Sequence, residues 1–166
     1  MSLSIRSAMA GDRDAVWDIL EAVIRAGETY ALPRDMPRED ALAHWFAPDR
    51  TVFVAQEEEK ILGTYYLRAN RPGPGAHVAN AGFMVANEAG GRGLGRALCG
   101  HALATAKTAG FRAMQFNFVV ASNDRAVRLW QRMGFAVAGR LPRAFDHPRL
   151  GLVDALVMFR ELCEPC

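Results

Sequence analysis

A glycine-rich run just ahead of a predicted helix constrains this chain more than any other feature. Positions 87–100 read NEAGGRGLGRALCG, with five glycines and two arginines. The preceding segment, VANAGFMV (78–85), has a strand pattern, and the following helix pattern runs to about Ala109. A helix that begins near Gly93 has unpaired N–H groups at its N-terminus, and glycine lets phosphate oxygens approach them without meeting a Cβ atom. The run therefore predicts a site for a phosphorylated cofactor.

Three more familiar types of glycine loop fit the run less well. A loop that simply needs positive φ is the plainest of them, but the density of glycines with Arg92 and Arg96 beside them favours the anion site. The P-loop string GxxxxGK[ST] does not occur. The dinucleotide pattern GxGxxG fails because its sixth position, counted from Gly93, is Leu98, and because the run lies mid-chain.

The remaining sequence alternates between strand and helix patterns. Strands are predicted at 4–8, 51–56, 61–70, 78–85, 114–120, 136–141 and 152–159. Helices are predicted at 11–27, 39–46, 93–109 and 122–135. With 166 residues, 51% of them hydrophobic, and no internal repeat or linker, the chain is expected to form one mixed α/β domain over 1–166.

Composition also limits the cellular setting and the partners. No apolar run is long enough to cross a bilayer and the N-terminus has no signal-peptide pattern, so a cytoplasmic protein without a membrane partner is expected. The cysteines, Cys99, Cys163 and Cys166, are odd in number and indicate no disulfide framework. The terminal CEPC (163–166) could hold a metal, but a frayed tail is the preferred interpretation, and no metal is expected.

Positive charge is concentrated in the C-terminal half. Between Ala89 and Leu150 there are ten Lys or Arg residues against two acids, Asp124 and Asp146. This asymmetry favours an anionic ligand, although a solvated basic face would look similar. Nucleic acid is the weaker candidate, because no basic run interleaved with aromatic residues and no known nucleic-acid motif is present.

The glycine run resembles the acetyl-CoA loop Q/R-x-x-G-x-G/A of the GCN5-related N-acetyltransferases, or GNAT superfamily. A second segment, ASNDRAVRLWQRMGF (121–135), resembles the family's signature N-x-x-A-x-x-L-Y-x-x-x-G-F. Its matching positions are Asn123, Ala126, Leu129, Gly134 and Phe135. The resemblance implies a single-domain GNAT fold, with a mixed, mostly antiparallel sheet whose fourth and fifth strands are splayed and flanked by helices.

The same resemblance implies where acetyl-CoA would bind. Backbone groups of Met84 and Val85 would pair with the pantetheine arm, amides from Gly91 to Arg96 would hold the diphosphate, and Asn123 would bond the pantetheine. The full set of implied cofactor-binding residues is Phe83, Met84, Val85, Gly90, Gly91, Arg92, Gly93, Leu94, Gly95, Arg96, Asn123, Ala126 and Trp130.

Three positions depart from the family pattern. Gly90 stands where the family has Gln or Arg, so one side-chain anchor is missing. Trp130 stands where many members have a Tyr that protonates the leaving thiolate, and indole cannot be that acid. Asn80 stands where many members have a Glu general base, and an amide cannot accept the proton. Asn80 and Asn117 are therefore the catalytic candidates, as groups that carry water or orient reactants, with satisfied structural asparagines as the alternative.

A closer resemblance concerns the acceptor. The segments GETYALP, ANAGFMV and FNFVVASNDRAVRLW resemble the azetidine-2-carboxylate (proline-analogue) N-acetyltransferases, in which asparagines orient substrate and cofactor. That resemblance implies an acceptor pocket lined by Glu28, Thr29 and Tyr30, against the alternative that their loop only connects two helices. Methionine-sulfone and phosphinothricin acetyltransferases share the overall pattern, so the acceptor stays open.

The leading hypothesis is therefore an acetyl-CoA-dependent enzyme that acetylates a small-molecule amine or amino acid. A non-catalytic acyl-CoA sensor is the alternative, and a homodimer is expected from similar proteins. The four histidines are scattered and have no metal-ligand spacing; His77, just before the fourth strand, is the best proton acceptor among them, and a structural histidine is the plainer interpretation of each.

Overall fold

The computed structural model describes residues 2–163 and contains one sheet of seven strands with helices on both faces. The strands are β1 (Leu3–Ser7), β2 (Thr51–Glu57), β3 (Lys60–Ala69), β4 (Val78–Val85), β5 (Ala113–Val120), β6 (Ala136–His147) and β7 (Gly151–Glu161). The helices are α1 (Arg13–Ala26), α2 (Arg38–Trp45), α3 (Leu94–Thr108) and α4 (Asp124–Arg132).

The sheet is mostly antiparallel and opens between its two central strands. The strand order is β1-β2-β3-β4-β5-β7-β6, and β4 and β5 are the parallel pair. These two strands pair at Val78 with Ala113 and at Ala79 with Met114, after which they separate. The predicted mixed sheet with splayed fourth and fifth strands is confirmed.

Amphipathic helices cover both faces of this sheet and give two hydrophobic cores. The buried side chains of α1, Val16, Ile19, Leu20 and Ile24, follow helical spacing and pack with α2 on one face. On the other face α3 buries Leu98, Ala102 and Ala106, and α4 adds partly buried side chains beside them. The splayed strands therefore lie between two packed layers.

The predicted bounds of two elements are wrong. Strand β6 continues to His147 instead of ending near 141, because it stays paired with β7 while an irregularity between Leu141 and Phe145 accommodates Pro142. Helix α4 is shorter than 122–135, because Asn123 caps its start and Gly134, at φ 89°, follows its end.

The expectations about cysteines and membrane spans can be compared with the structure only within residues 2–163. Cys99 is buried and Cys163 is exposed, whereas Cys166, and with it most of the terminal CEPC, lies outside the described residues. Within residues 2–163 no helix has the length and apolar character needed to span a membrane.

Candidate functional site

A cavity of about 410 Å³ passes through the sheet where β4 and β5 separate. Its walls include Asn80, Gly82 and Met84 from the α1–α2 face of β4 and Phe83 from the opposite face. The gap between the strands therefore connects the two sides of the sheet. Two molecules that enter from opposite faces could meet in it.

Hydrogen bonds at the two ends of β4 fix the direction of its main-chain groups. Asn70 N–H donates to Val78 O and Ala86 N–H donates to Leu62 O, both at 2.8 Å. Because hydrogen-bonded pairs alternate along antiparallel strands, the even-numbered residues of β4 bond to β3. The odd-numbered residues direct their N–H and C=O groups to the edge that leaves β5.

That edge consists of the main-chain groups of Ala81, Phe83 and Val85. The Tyr30 hydroxyl donates to Phe83 O at 2.9 Å, which ties the loop after α1 to this edge. The register is at odds with the expectation that backbone groups of Met84 pair with a pantetheine arm. The backbone N–H and C=O groups of Met84 face β3, and the Met84 side chain is buried in the α1–α2 core.

The glycine loop forms an exposed bend at the N-terminus of α3. Gly91 and Gly93 have φ angles of 80° and 79°, and Gly93 is the residue that caps α3. A Cβ atom at Gly93 would have no other heavy atom within 4 Å, whereas one at Gly95 would lie 3.0 Å from Leu129 of α4. The loop therefore combines helix N–H groups with open space on one side and close helix packing on the other.

The arginines around this loop differ from the sequence-based expectation. Arg92 donates from Nη2 to both carboxylate oxygens of Glu57 at 2.9 Å, so its guanidinium is already paired. Arg125 of α4, which sequence analysis missed, has Nη2 only 3.6 Å from where a Cβ on Gly91 would stand. Arg96 is exposed. Arg125 is thus a cation placed beside the bend, where it could pair with a bound anion.

The second signature segment forms the wall on the α4 side of the cavity. Trp130 packs against Phe83 and Phe116, with ring centroids 5.1 and 5.0 Å apart. Asn123 Oδ1 accepts a hydrogen bond from Ala126 N–H at 3.3 Å and caps α4. This cap uses only the oxygen of the Asn123 amide, and Asn123, Ala126 and Trp130 all line the cavity.

Asn80 and Asn117 both line the cavity and belong to one amide network at the fork, the point where β4 and β5 separate. Asn80, only 5% exposed, accepts from Arg68 Nε at 3.2 Å and donates to Gln115 O at 3.0 Å. Asn117 accepts from Gln115 Nε2 at 2.9 Å and donates to Asn70 Oδ1 at 2.7 Å. These bonds hold β4 and β5 at a fixed separation just beyond their last paired residues.

The loop after α1 contributes two of its three predicted acceptor residues. Thr29 and Tyr30 line the cavity. Burial raises the pKa of Tyr30 far above its ordinary value, which keeps the hydroxyl protonated. Glu28 does not line the cavity; its carboxylate pairs with Arg149 at 2.9 Å on the surface.

Sequence analysis missed the charged groups of the cavity. Arg50, Arg68 and His44 line it, and none of the lining residues in the described part of the chain is Asp or Glu. Burial, together with the positive charges of Arg50 and Arg68, lowers the pKa of His44 below its ordinary 6.5. His77, the acceptor favoured from sequence, is exposed and is not among the lining residues.

Comparison with known proteins gives consistent similarities. A model of the acetyltransferase (GNAT) family matches residues 16–135. N-acetyltransferase aca1 of Schizosaccharomyces pombe is 32% identical, over 81% of this chain and 72% of that protein. A GCN5-related N-acetyltransferase from Kribbella flavida has a TM-score of 0.91 at 45% identity, over 96% of this chain and 97% of that one. The structure of yncA from Salmonella typhimurium with its cofactor acetyl-CoA, at 22% identity and a TM-score of 0.86 over 100% of this chain and 97% of that one, is similar in fold.

Proposed function

We propose which acceptor this enzyme uses on the premise that the chain belongs to the acetyltransferase (GNAT) family and is an acetyl-CoA-dependent N-acetyltransferase. The proposed acceptor is the amine of a small molecule, an amino acid or an analogue of one. The observation that carries the proposal is the cavity through the fork between β4 and β5. It gives a cofactor and a compact acceptor access to the same point from opposite faces.

The cofactor side of the proposal rests on the edge of β4 that faces the gap and on the bend before α3. The arm of acetyl-CoA would run along the edge formed by Ala81, Phe83 and Val85, with Asn123 beside it. Its diphosphate would lie at the open side of Gly93, near the Arg125 guanidinium. A Val85 N–H that polarises the thioester carbonyl would stabilise the charge that develops on its oxygen.

The proposed reaction is direct transfer between two bound molecules. The amine nitrogen attacks the thioester carbonyl carbon, the carbon–sulfur bond breaks, and the amine proton leaves for a base. The thiolate of coenzyme A takes a proton from solvent, because the Trp130 indole has no acidic proton to give. Holding both reactants in one cavity supplies the acceleration that comes from proximity and orientation.

His44 is the proposed acceptor of the amine proton. It lines the cavity, and its lowered pKa leaves the imidazole neutral at neutral pH, with a lone pair available. Asn80 and Asn117 are assigned a positioning role, because their amide groups bond to neighbouring strands and hold the fork open. In this proposal the histidine takes the place of the family's glutamate.

Replacing His44 tests this assignment. His44→Gln is expected to lower kcat about 100-fold with little change in the KM for acetyl-CoA, as for loss of a general base. In the unaltered enzyme the acidic limb of kcat/KM should have its midpoint below pH 6.5, because protonation of His44 removes the base and its pKa is lowered. That limb should vanish in His44→Gln and persist in the matched control His77→Gln. Survival of the limb below pH 6.5 in His44→Gln contradicts the role, whereas the separate limb from deprotonation of the substrate's own ammonium group lies at higher pH and is expected in every variant.

A test of the function itself measures thiol release from acetyl-CoA across an amine panel. The panel contains L-azetidine-2-carboxylate, L-proline, methionine sulfone, phosphinothricin, simple alkylamines and polyamines. Release with at least one small amine is expected, with the acetylated product identified by mass spectrometry. Tight binding of acetyl-CoA without release on any amine would favour the sensor alternative.

Asn123 provides a separate test of the cofactor side. Asn123→Asp keeps an oxygen to cap α4 but removes the amide N–H donor proposed for the pantetheine, whereas Asn123→Ala removes both. Both variants are expected to raise the KM for acetyl-CoA roughly tenfold, as for one lost hydrogen bond, and only Ala should also cost about 1 kcal/mol of stability. If only the KM for the amine moves, the assignment is wrong.

We also propose a homodimer. Strand β6 is one of the two edge strands of the sheet, and the hairpin it forms with β7 exposes Val137, Leu141, Leu150 and Leu152. An edge strand with exposed aliphatic side chains is suited to pairing with a second copy. The mass in solution, measured by light scattering, tests this point.

A further inference from the structure

We propose that Arg50 binds a carboxylate of the acceptor, so that the enzyme acetylates amines bearing a carboxylate close to the amino group. The inference rests on the proposed function, since it concerns the acceptor side of the same cavity. It goes further by making the carboxylate a requirement and by assigning the residue that binds it.

The guanidinium of Arg50 has unmet hydrogen-bond donors. Nε and Nη1 are buried and have no partner within the described part of the chain, and the group lies 4.0 Å above the Tyr66 ring. Buried polar groups in folded proteins are almost always hydrogen-bonded, and an unpaired buried charge is costly. Stacking on Tyr66 orients the cation without meeting its donors. Arg50 lines the cavity, so a ligand there could supply the missing acceptors.

The surroundings of Arg50 favour an anion. The other cavity arginine, Arg68, already has acceptors in Asn80 at 3.2 Å and Asp49 at 3.5 Å. Within residues 2–163 the cavity lining contains no Asp or Glu, and it includes both Arg50 and Arg68. A carboxylate is attracted to such a site, while a diamine or polyamine is repelled. Arginine also matches the two oxygens of a carboxylate with two parallel donors.

The position of Arg50 relative to β4 places the anchor near the reacting groups. Tyr66 of β3 lies opposite Gly82 of β4, and a Cβ atom at Gly82 would lie 2.6 Å from the Tyr66 ring. Glycine at 82 therefore lets the ring lie flat against β4, with Arg50 on top of it. The carboxylate would then be held over β4, the strand that carries the main-chain edge of Phe83 and Val85.

The experiment compares an amino acid with its own primary amide, which keeps the amine and removes the carboxylate. The acid used is the amino acid of the panel that binds most tightly with coenzyme A present, alongside that acid's amide. Arg50→Met preserves much of the apolar stem, and Arg13→Met is the matched control, because Arg13 also stacks on an aromatic ring, 4.6 Å from Phe46, but does not line the cavity. Binding is measured by calorimetry with coenzyme A present, and turnover by thiol release.

Arg50→Met is expected to raise the KM and Kd for the amino acid roughly 100-fold, as for loss of a buried charge pair, with the KM for acetyl-CoA unchanged. The unaltered enzyme should prefer the acid to the amide by a similar factor, and that preference should disappear in Arg50→Met only. The acidic limb of kcat/KM should move to higher pH, because one charge that lowers the His44 pKa is removed.

Equal use of acid and amide by the unaltered enzyme, or an equal loss for both in Arg50→Met, overturns the proposal. Failure of the amino acid to bind the unaltered protein overturns it as well. Carboxylate-dependent binding that requires Arg50, without turnover on any amine, would support the anchor while overturning the proposed transfer. Carboxylate binding by Arg50 and acetyl transfer to an amine are therefore contradicted by different experimental results.

Discussion

Gly93→Val is expected to weaken coenzyme A binding by at least about 100-fold, which corresponds to roughly 2.7 kcal/mol. The wild-type bend leaves open space where a Cβ at this position would stand, and that space is where the diphosphate is proposed to lie. A valine there excludes phosphate oxygens from the N–H groups that begin α3. Titration calorimetry with coenzyme A measures the effect directly.

The variant also strains the backbone, since Gly93 has a φ of 79°. Gly110→Val is a matched control, because Gly110 has a φ of 91° and also has no heavy atom within 4 Å of a Cβ position. Both variants should lose a similar amount of stability, about 1–3 kcal/mol. Only the Gly93 variant should lose affinity; unchanged affinity there would falsify the assignment of the loop.

Trp45→Ala is expected to cost about 3–5 kcal/mol of folding free energy, with a fall in Tm of about 10 °C. Trp45 is 1% exposed, its indole N–H donates to Thr64 Oγ1 at 3.1 Å, and its ring contacts Tyr66 edge-on at 4.8 Å. Truncation leaves a large cavity and removes support from the Tyr66 ring on which Arg50 stacks. The KM for the amine should therefore rise as well.

Two further variants serve as controls. One removes the Trp45 hydrogen bond while keeping most of the side-chain volume, and the other truncates a less buried tryptophan. Trp45→Phe keeps most of the volume and should cost about 1 kcal/mol, because Thr64 still donates to Phe53 O at 2.8 Å. Trp17→Ala removes a half-buried tryptophan at the surface of α1 and should cost much less than Trp45→Ala. Equal losses for Trp17→Ala and Trp45→Ala, by thermal or denaturant unfolding, would contradict the central place of Trp45 in the core.

Local patterns in the sequence determine much of the fold. They predict β4 at 78–85 and the start of α3 near Gly93 correctly, because glycine punctuation and hydrophobic alternation act over a few residues. The predicted end of β6 is wrong because Pro142 signals a break locally, whereas pairing with β7 carries the strand past it. Tertiary pairing outweighs a local signal there.

The chemistry of the cavity is not visible in the sequence. His44 lies in the weakly patterned helix α2 and Arg50 lies just before β2, both about thirty positions or more before Asn80, and no spacing motif connects them. Folding brings α2 and the start of β2 to the fork in the sheet. For Arg92 the motif suggests a role that the structure does not show. Its position in the glycine run suggests a phosphate contact, but its guanidinium is hydrogen-bonded to Glu57, which is distant in sequence. Charge partners depend on the tertiary structure.

In the proposed complex the cofactor is a structural element as well as a reactant, because it lies along the edge of β4 that faces the gap. The amides of Ala81, Phe83 and Val85 face the gap that β5 leaves, so a bound pantetheine would complete the sheet as a surrogate strand. These amides should then exchange with deuterium faster in the ligand-free protein than their even-numbered neighbours, and become protected together when coenzyme A binds. The same binding should raise the melting temperature as the concentration of coenzyme A increases.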